Sequence, residues 1–136
     1  MCENMDAINV ILVDDQEVFR KAMRTLISKI DGIQVIAEAS NGLEFLDIIK
    51  TSKADVVLMD LQMPVMDGIV ATKQALKVYP QLKIIALTIF RDYEYFKPII
   101  DAGVCGYIIK DLVNVKLEQA LRLAINDECS FFLMNK

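Results

Sequence analysis

Five short runs rich in Ile, Val and Leu recur at intervals of about twenty-five residues. They occupy 8–13 (INVILV), 33–38 (IQVIAE), 55–60 (DVVLMD), 82–88 (LKIIALT) and 106–109 (GYII). The first, third and fourth are almost continuously apolar, as strands covered on both faces must be. The segments between them carry helical spacing. In 18–30, Val18, Ala22, Leu26 and Ile30 repeat every four residues, and Phe19, Met23 and Ile27 widen the stripe. Similar patterns fill 43–49, 69–78, 93–102 and 113–125. Strands alternating with helices pair in parallel through crossovers, with helices on both sheet faces. The expected class is therefore α/β: a (βα)5 doubly wound parallel five-stranded sheet in one domain over residues 8–126. Residues 1–7 precede it as an N-terminal extension, and 127–136 form a tail or the start of a linker. Pro98 falls inside the fourth helical segment and removes a backbone hydrogen bond unless it lies in the first turn. That helix should start late, near Tyr95, or bend.

Composition narrows the function. A length of 136 residues fits one core, and 54% hydrophobic residues with five Gly and three Pro exclude disordered and collagen-like classes. A net charge of −4 and a pI of about 4.8 speak against nucleic-acid binding by this segment, since phosphate neutralisation needs a basic face. Mean hydropathy is high at +0.37, yet no apolar run reaches the ~18 residues of a bilayer span. Residues 1–6 carry neither a basic region nor an apolar stretch, so no signal peptide is expected. Cys2, Cys105 and Cys129 are odd in number and scattered, which suits a reduced cytoplasmic chain better than a disulfide framework. The sequence contains no histidine, which removes imidazole as base, nucleophile or ligand.

The polar residues that end the strands matter most. In open α/β sheets ligands bind beyond the carboxyl ends of the strands. The first strand ends in Asp14-Asp15, the third in Asp60, the fourth in Thr88 and the fifth runs into Lys110. Taken alone, Asp15 reads as the N-cap of the first helix. Asp60 alone reads equally as a cap or turn residue. Together the three carboxylates would repel by roughly 3 kcal/mol per pair at about 5 Å and an effective dielectric near 20. A hard cation relieves that repulsion, Mg²⁺ first among oxygen-bound ions, with Mn²⁺ as an alternative. A carboxylate beside such an ion can attack phosphorus. After Asp60 comes Leu61-Gln62-Met63-Pro64-Val65-Met66-Asp67-Gly68, in which Pro64 stiffens a loop and Asp67-Gly68 reads as the turn into the third helix. Thr88 and Lys110 are individually ordinary, but together they offer a hydroxyl and an ammonium to phosphoryl oxygens. Tyr107 reads as a half-buried aromatic on an edge strand.

In these residues the chain resembles the receiver domain of bacterial two-component response regulators, over residues 8 to about 125. The resemblance rests on Asp14-Asp15, the block DLQMPVMDG from Asp60, Thr88 ending LKIIALT, and Lys110 in GYIIKD. It implies a flavodoxin-like strand order 2-1-3-4-5, and Asp60 as acceptor of a phosphoryl group from a sensor histidine kinase or a small acyl phosphate. It also implies Mg²⁺ held by Asp14, Asp15, Asp60 and the backbone carbonyl of Gln62, with Thr88 and Lys110 on the phosphoryl oxygens and Tyr107 as aromatic switch. Phosphorylation would then remodel the face formed by the fourth helix, fifth strand and fifth helix. Lys110-Asp111 is similar to the branch with LuxR-type helix-turn-helix outputs. That implies transcription control through DNA bound by an output domain outside these residues, a homodimer formed on phosphorylation, and no membrane contact.

Two other readings remain open at this level. An aspartyl phosphohydrolase of the haloacid dehalogenase type would need an acid two residues after its nucleophile, where Gln62 stands. A receiver-shaped binding module that is never phosphorylated would have no need of all five polar groups.

Overall fold

The computed structural model describes residues 7–89 and 96–129. The element order is β1 (Ile8–Val13), α1 (Glu17–Ser28), β2 (Ile33–Ala39), α2 (Gly42–Ile48), β3 (Val56–Asp60), α3 (Gly68–Val78), β4 (Lys83–Thr88), α4 (Phe96–Asp101), β5 (Gly106–Ile109) and α5 (Val113–Ile125). A 3₁₀ turn at Lys110–Leu112, which periodicity does not foresee, joins β5 to α5. The strands form one parallel sheet in the order β2-β1-β3-β4-β5. This is the α/β architecture expected from the alternation, in the order implied by the resemblance.

Burial follows strand position. All five residues of the central β3 are buried, whereas the edge strand β2 mixes buried and exposed positions. β1 and β2 slip register between Val10↔Val35 and Ile11↔Ala37, so Ile36 bulges out and is 38% exposed. One core layer joins Val10, Leu12 and Leu58 to Met23 and Ile27 of α1 and Leu117 and Leu121 of α5. The other joins Ile11, Val57 and Met59 to Phe45, Ala71 and Phe96 on the α2, α3 and α4 side. The two layers make the sheet doubly wound.

Two local readings need correction. The buried stripe of α1 runs through Met23 and Ile27, while Val18 is 84% exposed and Ala22 also faces outward. Phe19, Leu26 and Ile30 pack against the same core, so the expected stripe holds except at Val18 and Ala22, and it centres on the Phe19-Met23-Ile27 row. Pro98 is the third residue of α4, inside its first turn as the expected late start requires, where its missing N–H breaks no helical bond. The expected start near Tyr95 lies outside the described residues, as do 1–6 and 130–136.

The second correction concerns the cysteines. Cys105 and Cys129 form a disulfide, their Cα atoms 4.6 Å apart. α5 returns along the sheet and delivers Cys129 to the start of β5, a proximity that a separation of 24 residues conceals. No helix among the described residues is long and apolar enough to cross a membrane.

Candidate functional site

Asp14 directly follows β1 at 2% exposure, and its Oδ1 accepts the Gln16 N–H at 2.8 Å. That i to i+2 bond turns the chain into α1, whose N-cap is Gln16 and has no side-chain cap. Asp15 therefore does not cap the helix, as its isolated reading suggests, and is left exposed at the mouth of a cleft. The bland reading of Asp60 fares little better. It ends β3 at 5% exposure, and its Oδ1 accepts a long bond, 3.3 Å, from the Gln62 N–H.

The loop beyond Asp60 is tightly built. Met66 N–H donates to the Pro64 carbonyl at 2.7 Å, placing Val65 at φ 70°, a costly conformation for a β-branched residue. Asp67 caps α3 through Val70 N–H at 2.9 Å, as the Asp-Gly pair predicts. Gly68 donates to the Leu61 carbonyl at 3.0 Å, and a Cβ there would collide with the Asp60 carbonyl. Only glycine lets α3 begin this close to the end of β3.

Asp14, Asp15 and Asp60 each present one carboxylate oxygen, all within 4.8 Å of one another. Lys110 joins them. Its Nζ lies 2.9 Å from Asp14 Oδ2 and 3.4 Å from Asp60 Oδ1, and 4.5 Å above the Phe19 ring. It is thus a largely buried ammonium, not a loop lysine in water. Burial, and secondly the Asp14 charge, push the Asp60 carboxyl up to about 6; Lys110 and the Gln62 N–H oppose the shift without cancelling it. Asp14 Oδ2 accepts no hydrogen bond of good geometry, so the ion pair with Lys110 is its compensation. An oxygen-only donor set with more negative charge than one ammonium offsets fits a hard divalent cation.

Asp15, Asp60, Gln62, Thr88, Ile89 and Lys110 line the cleft, which measures about 200 Å³. Thr88 ends β4 at 3% exposure. Tyr107 stands outside the cleft and is buried, not half-buried, at 3% exposure. Its ring packs on Phe96 with centroids 4.4 Å apart. The reason is that α4 covers the sheet face to which Tyr107 belongs.

Two neighbours escape the sequence reading. Arg20 Nη1 donates to the Asp14 carbonyl at 2.5 Å while its Nε pairs with Glu38 at 2.9 Å. Arg24 also pairs with Glu38, at 2.6 Å. Phe19, recognisable only as part of an apolar stripe, floors the Lys110 ammonium. No motif announces either role, because each partner lies on another element.

Comparison with known proteins places this geometry in context. Residues 10–122 match the family described as response regulator receiver domain. The chain is 43% identical over 104 residues to the transcriptional regulatory protein YhcZ of Bacillus subtilis (strain 168), covering 76% of this chain and 49% of that protein. It is 39% identical over 128 residues to the transcriptional regulatory protein YxjL of the same organism, covering 94% and 59%. Among solved structures, a LuxR-family two-component response regulator from Aurantimonas sp. SI85-9A1 superposes with a TM-score of 0.86 at 28% identity, covering 90% of this chain and 88% of that one. The chain spans about half the length of the curated relatives it matches.

Proposed function

The chain belongs to the response regulator receiver domain family, and from that premise we propose that Asp60 accepts a phosphoryl group from a sensor histidine kinase. The observation that carries the proposal is the buried Asp60 carboxylate, with Asp14 and Asp15 oxygens within 4.8 Å and the Lys110 ammonium at 3.4 Å. With its pKa near 6, Asp60 is mostly ionised at neutral pH and ready to act as nucleophile. One of its oxygens attacks phosphorus in line. A P–O bond forms as the donor's P–N bond breaks, and the electron pair leaves with the donor imidazole. This chain has no histidine, so the donor is another protein or a small acyl phosphate, whose P–O bond then breaks instead.

Asp14, Asp15, Asp60 and the Gln62 carbonyl would hold Mg²⁺, or Mn²⁺, which when bound neutralises charge on the phosphoryl oxygens. Lys110 turns from Asp14 to a phosphoryl oxygen, and the Thr88 hydroxyl takes another. Tyr107 answers the movement of Thr88, repacks against Phe96, and alters the face formed by α4, β5 and α5. Gln62 occupies the place of a phosphohydrolase acid, and an amide cannot supply that proton; this supports signalling over hydrolysis.

For the whole protein we infer a cytoplasmic regulator. The domain over 8–126 controls a LuxR-type DNA-binding output through residues 127–136, and phosphorylation favours a homodimer.

Intact-mass measurement after incubation with acetyl phosphate and Mg²⁺ tests the assignment. The wild-type chain should gain one phosphoryl group and Asp60→Asn none, with an unchanged circular dichroism spectrum. Incorporation in the variant equal to wild type would place the acceptor elsewhere.

A further inference from the structure

Asp14 is held from four directions. Its N–H donates to the Ala39 carbonyl at 3.0 Å, its Oδ1 accepts the Gln16 N–H at 2.8 Å, and its Oδ2 pairs with Lys110 at 2.9 Å. The fourth hold is on its carbonyl, which accepts from Arg20 Nη1 at 2.5 Å. That carbonyl belongs to the peptide unit joining Asp14 to Asp15. A peptide unit is planar, so fixing its oxygen leaves little freedom in ψ of Asp14 and φ of Asp15. Those two torsions set the direction of one acidic side chain relative to the other.

Arg20 is itself anchored. It stands in the first turn of α1, where its N–H donates to the Gln16 carbonyl at 3.1 Å, and its side chain is 16% exposed. Its Nε donates to Glu38 Oε1 at 2.9 Å. Glu38 lies on β2 opposite Leu12, just before the end of β1. Arg24 Nη1 engages both Glu38 oxygens, at 2.7 and 2.6 Å. Two guanidinium groups share one carboxylate, so Glu38 does not cancel the charge of Arg20, and the bond to the Asp14 carbonyl is charge-assisted. A planar fork with two partners at fixed angles is a strut between β2 and the turn into α1.

We propose that Arg20 is a positioning residue for the acidic pocket: by holding the Asp14–Asp15 peptide it keeps both carboxylates turned towards Asp60, with Glu38 and Arg24 as its support. The inference rests on the reading of these acids as Mg²⁺ ligands of a phosphoacceptor site. Arg20 acts through Asp14 and does not line the cleft. Charge and position predict opposite signs here. As a bare cation near three acids, Arg20 would oppose Mg²⁺, and its removal would tighten binding. As a strut, its removal frees the paired acids and weakens binding, by the ~10–100-fold typical of groups that hold a metal's ligands in place.

Mg²⁺ titrations of the full chain, followed by calorimetry and by the amide shifts of 14–16, compare wild type with Arg20→Met and Arg20→Lys. The first variant keeps the apolar stem and removes the fork; the second keeps the charge on a single point donor. Mg²⁺ should bind at least ~10-fold more weakly to Arg20→Met, with Arg20→Lys between it and wild type. Without metal, hydrogen exchange at the Gln16 amide should quicken in Arg20→Met by a larger factor than at the amides of β1. Equal or tighter Mg²⁺ binding by Arg20→Met would overturn the proposal. So would exchange that quickens equally at Gln16 and through β1, the mark of a general loss of stability. A wild-type chain that takes up no Mg²⁺ would overturn the pocket reading first, and this inference with it.

Discussion

The two edges of the sheet differ in how they are held. At the carboxyl edge, three acids crowd within 4.8 Å and share one ammonium, so Asp60 is pushed towards protonation. At the amino edge, an ion pair, a disulfide and apolar walls gather around the start of β4. The upper edge thus carries electrostatic repulsion that a ligand can relieve, whereas the lower edge is closed by cross-links. A domain that binds its ligand at one edge benefits from that division. Binding energy is released where charges are frustrated, while the opposite edge keeps the exit of the chain in place.

The largest expected effect breaks the lower edge. Cys129→Ser, which leaves Cys105 as a buried thiol, should cost about 3 kcal/mol through the entropy of a 24-residue separation no longer closed. Urea melts of oxidised wild type and variant measure it, and dithiothreitol should bring wild type to the level of the variant. Next, Mg²⁺ should stabilise the upper edge by RT ln(1 + [Mg²⁺]/Kd), about 2.7 kcal/mol at one hundred times Kd. Asp15→Asn should weaken this response and, without metal, be neutral or stabilising; thermal melts across a Mg²⁺ titration read both.

A smaller effect follows from the protonation of Asp60 in the metal-free chain. Its folded pKa, about 6, lies above the reference value of 3.8, so the native state binds the extra proton. The contribution is fully present below pH 3.8 and is lost as pH rises through 6. It amounts to something on the order of 2 kcal/mol after discounting for water in the open cleft. Asp60→Asn should flatten that part of the stability–pH curve, and an unchanged slope would deny the raised pKa. The smallest effect sharpens the comparison itself. Asp60→Asn and Cys129→Ser lie at opposite ends of strands and should be additive to within about 0.5 kcal/mol in a double-mutant cycle.

How much of this is legible without coordinates depends on the range of the interaction. The runs INVILV, DVVLMD and LKIIALT predict β1, β3 and β4 to within a residue, because burial on both faces demands continuous apolar character. The cap at Asp67 is equally visible, since its partner is three residues away. Asp14, Asp60, Thr88 and Lys110 all end or follow strands, and parallel strands with crossovers must bring such ends to one edge. The convergence of the site was thus written into the alternation of the chain.

The stripe of α1 is legible only in part: Phe19, Met23, Leu26, Ile27 and Ile30 meet the core as the spacing predicts, while Val18 and Ala22 face outward. Arg20, Phe19 and Glu38 went unnoticed because their roles depend on neighbours on other elements. The sequence by itself determined the strands, their parallel pairing and the set of charges at the carboxyl edge. Only the tertiary structure decided that Lys110 lies between Asp14 and Asp60, that Asp60 titrates near 6, and that Cys105 meets Cys129. These are distances of a few ångströms between residues tens of positions apart. Coulomb energies, desolvation and covalent pairing all depend on such distances, whereas hydrophobic periodicity records only which face of each element is buried.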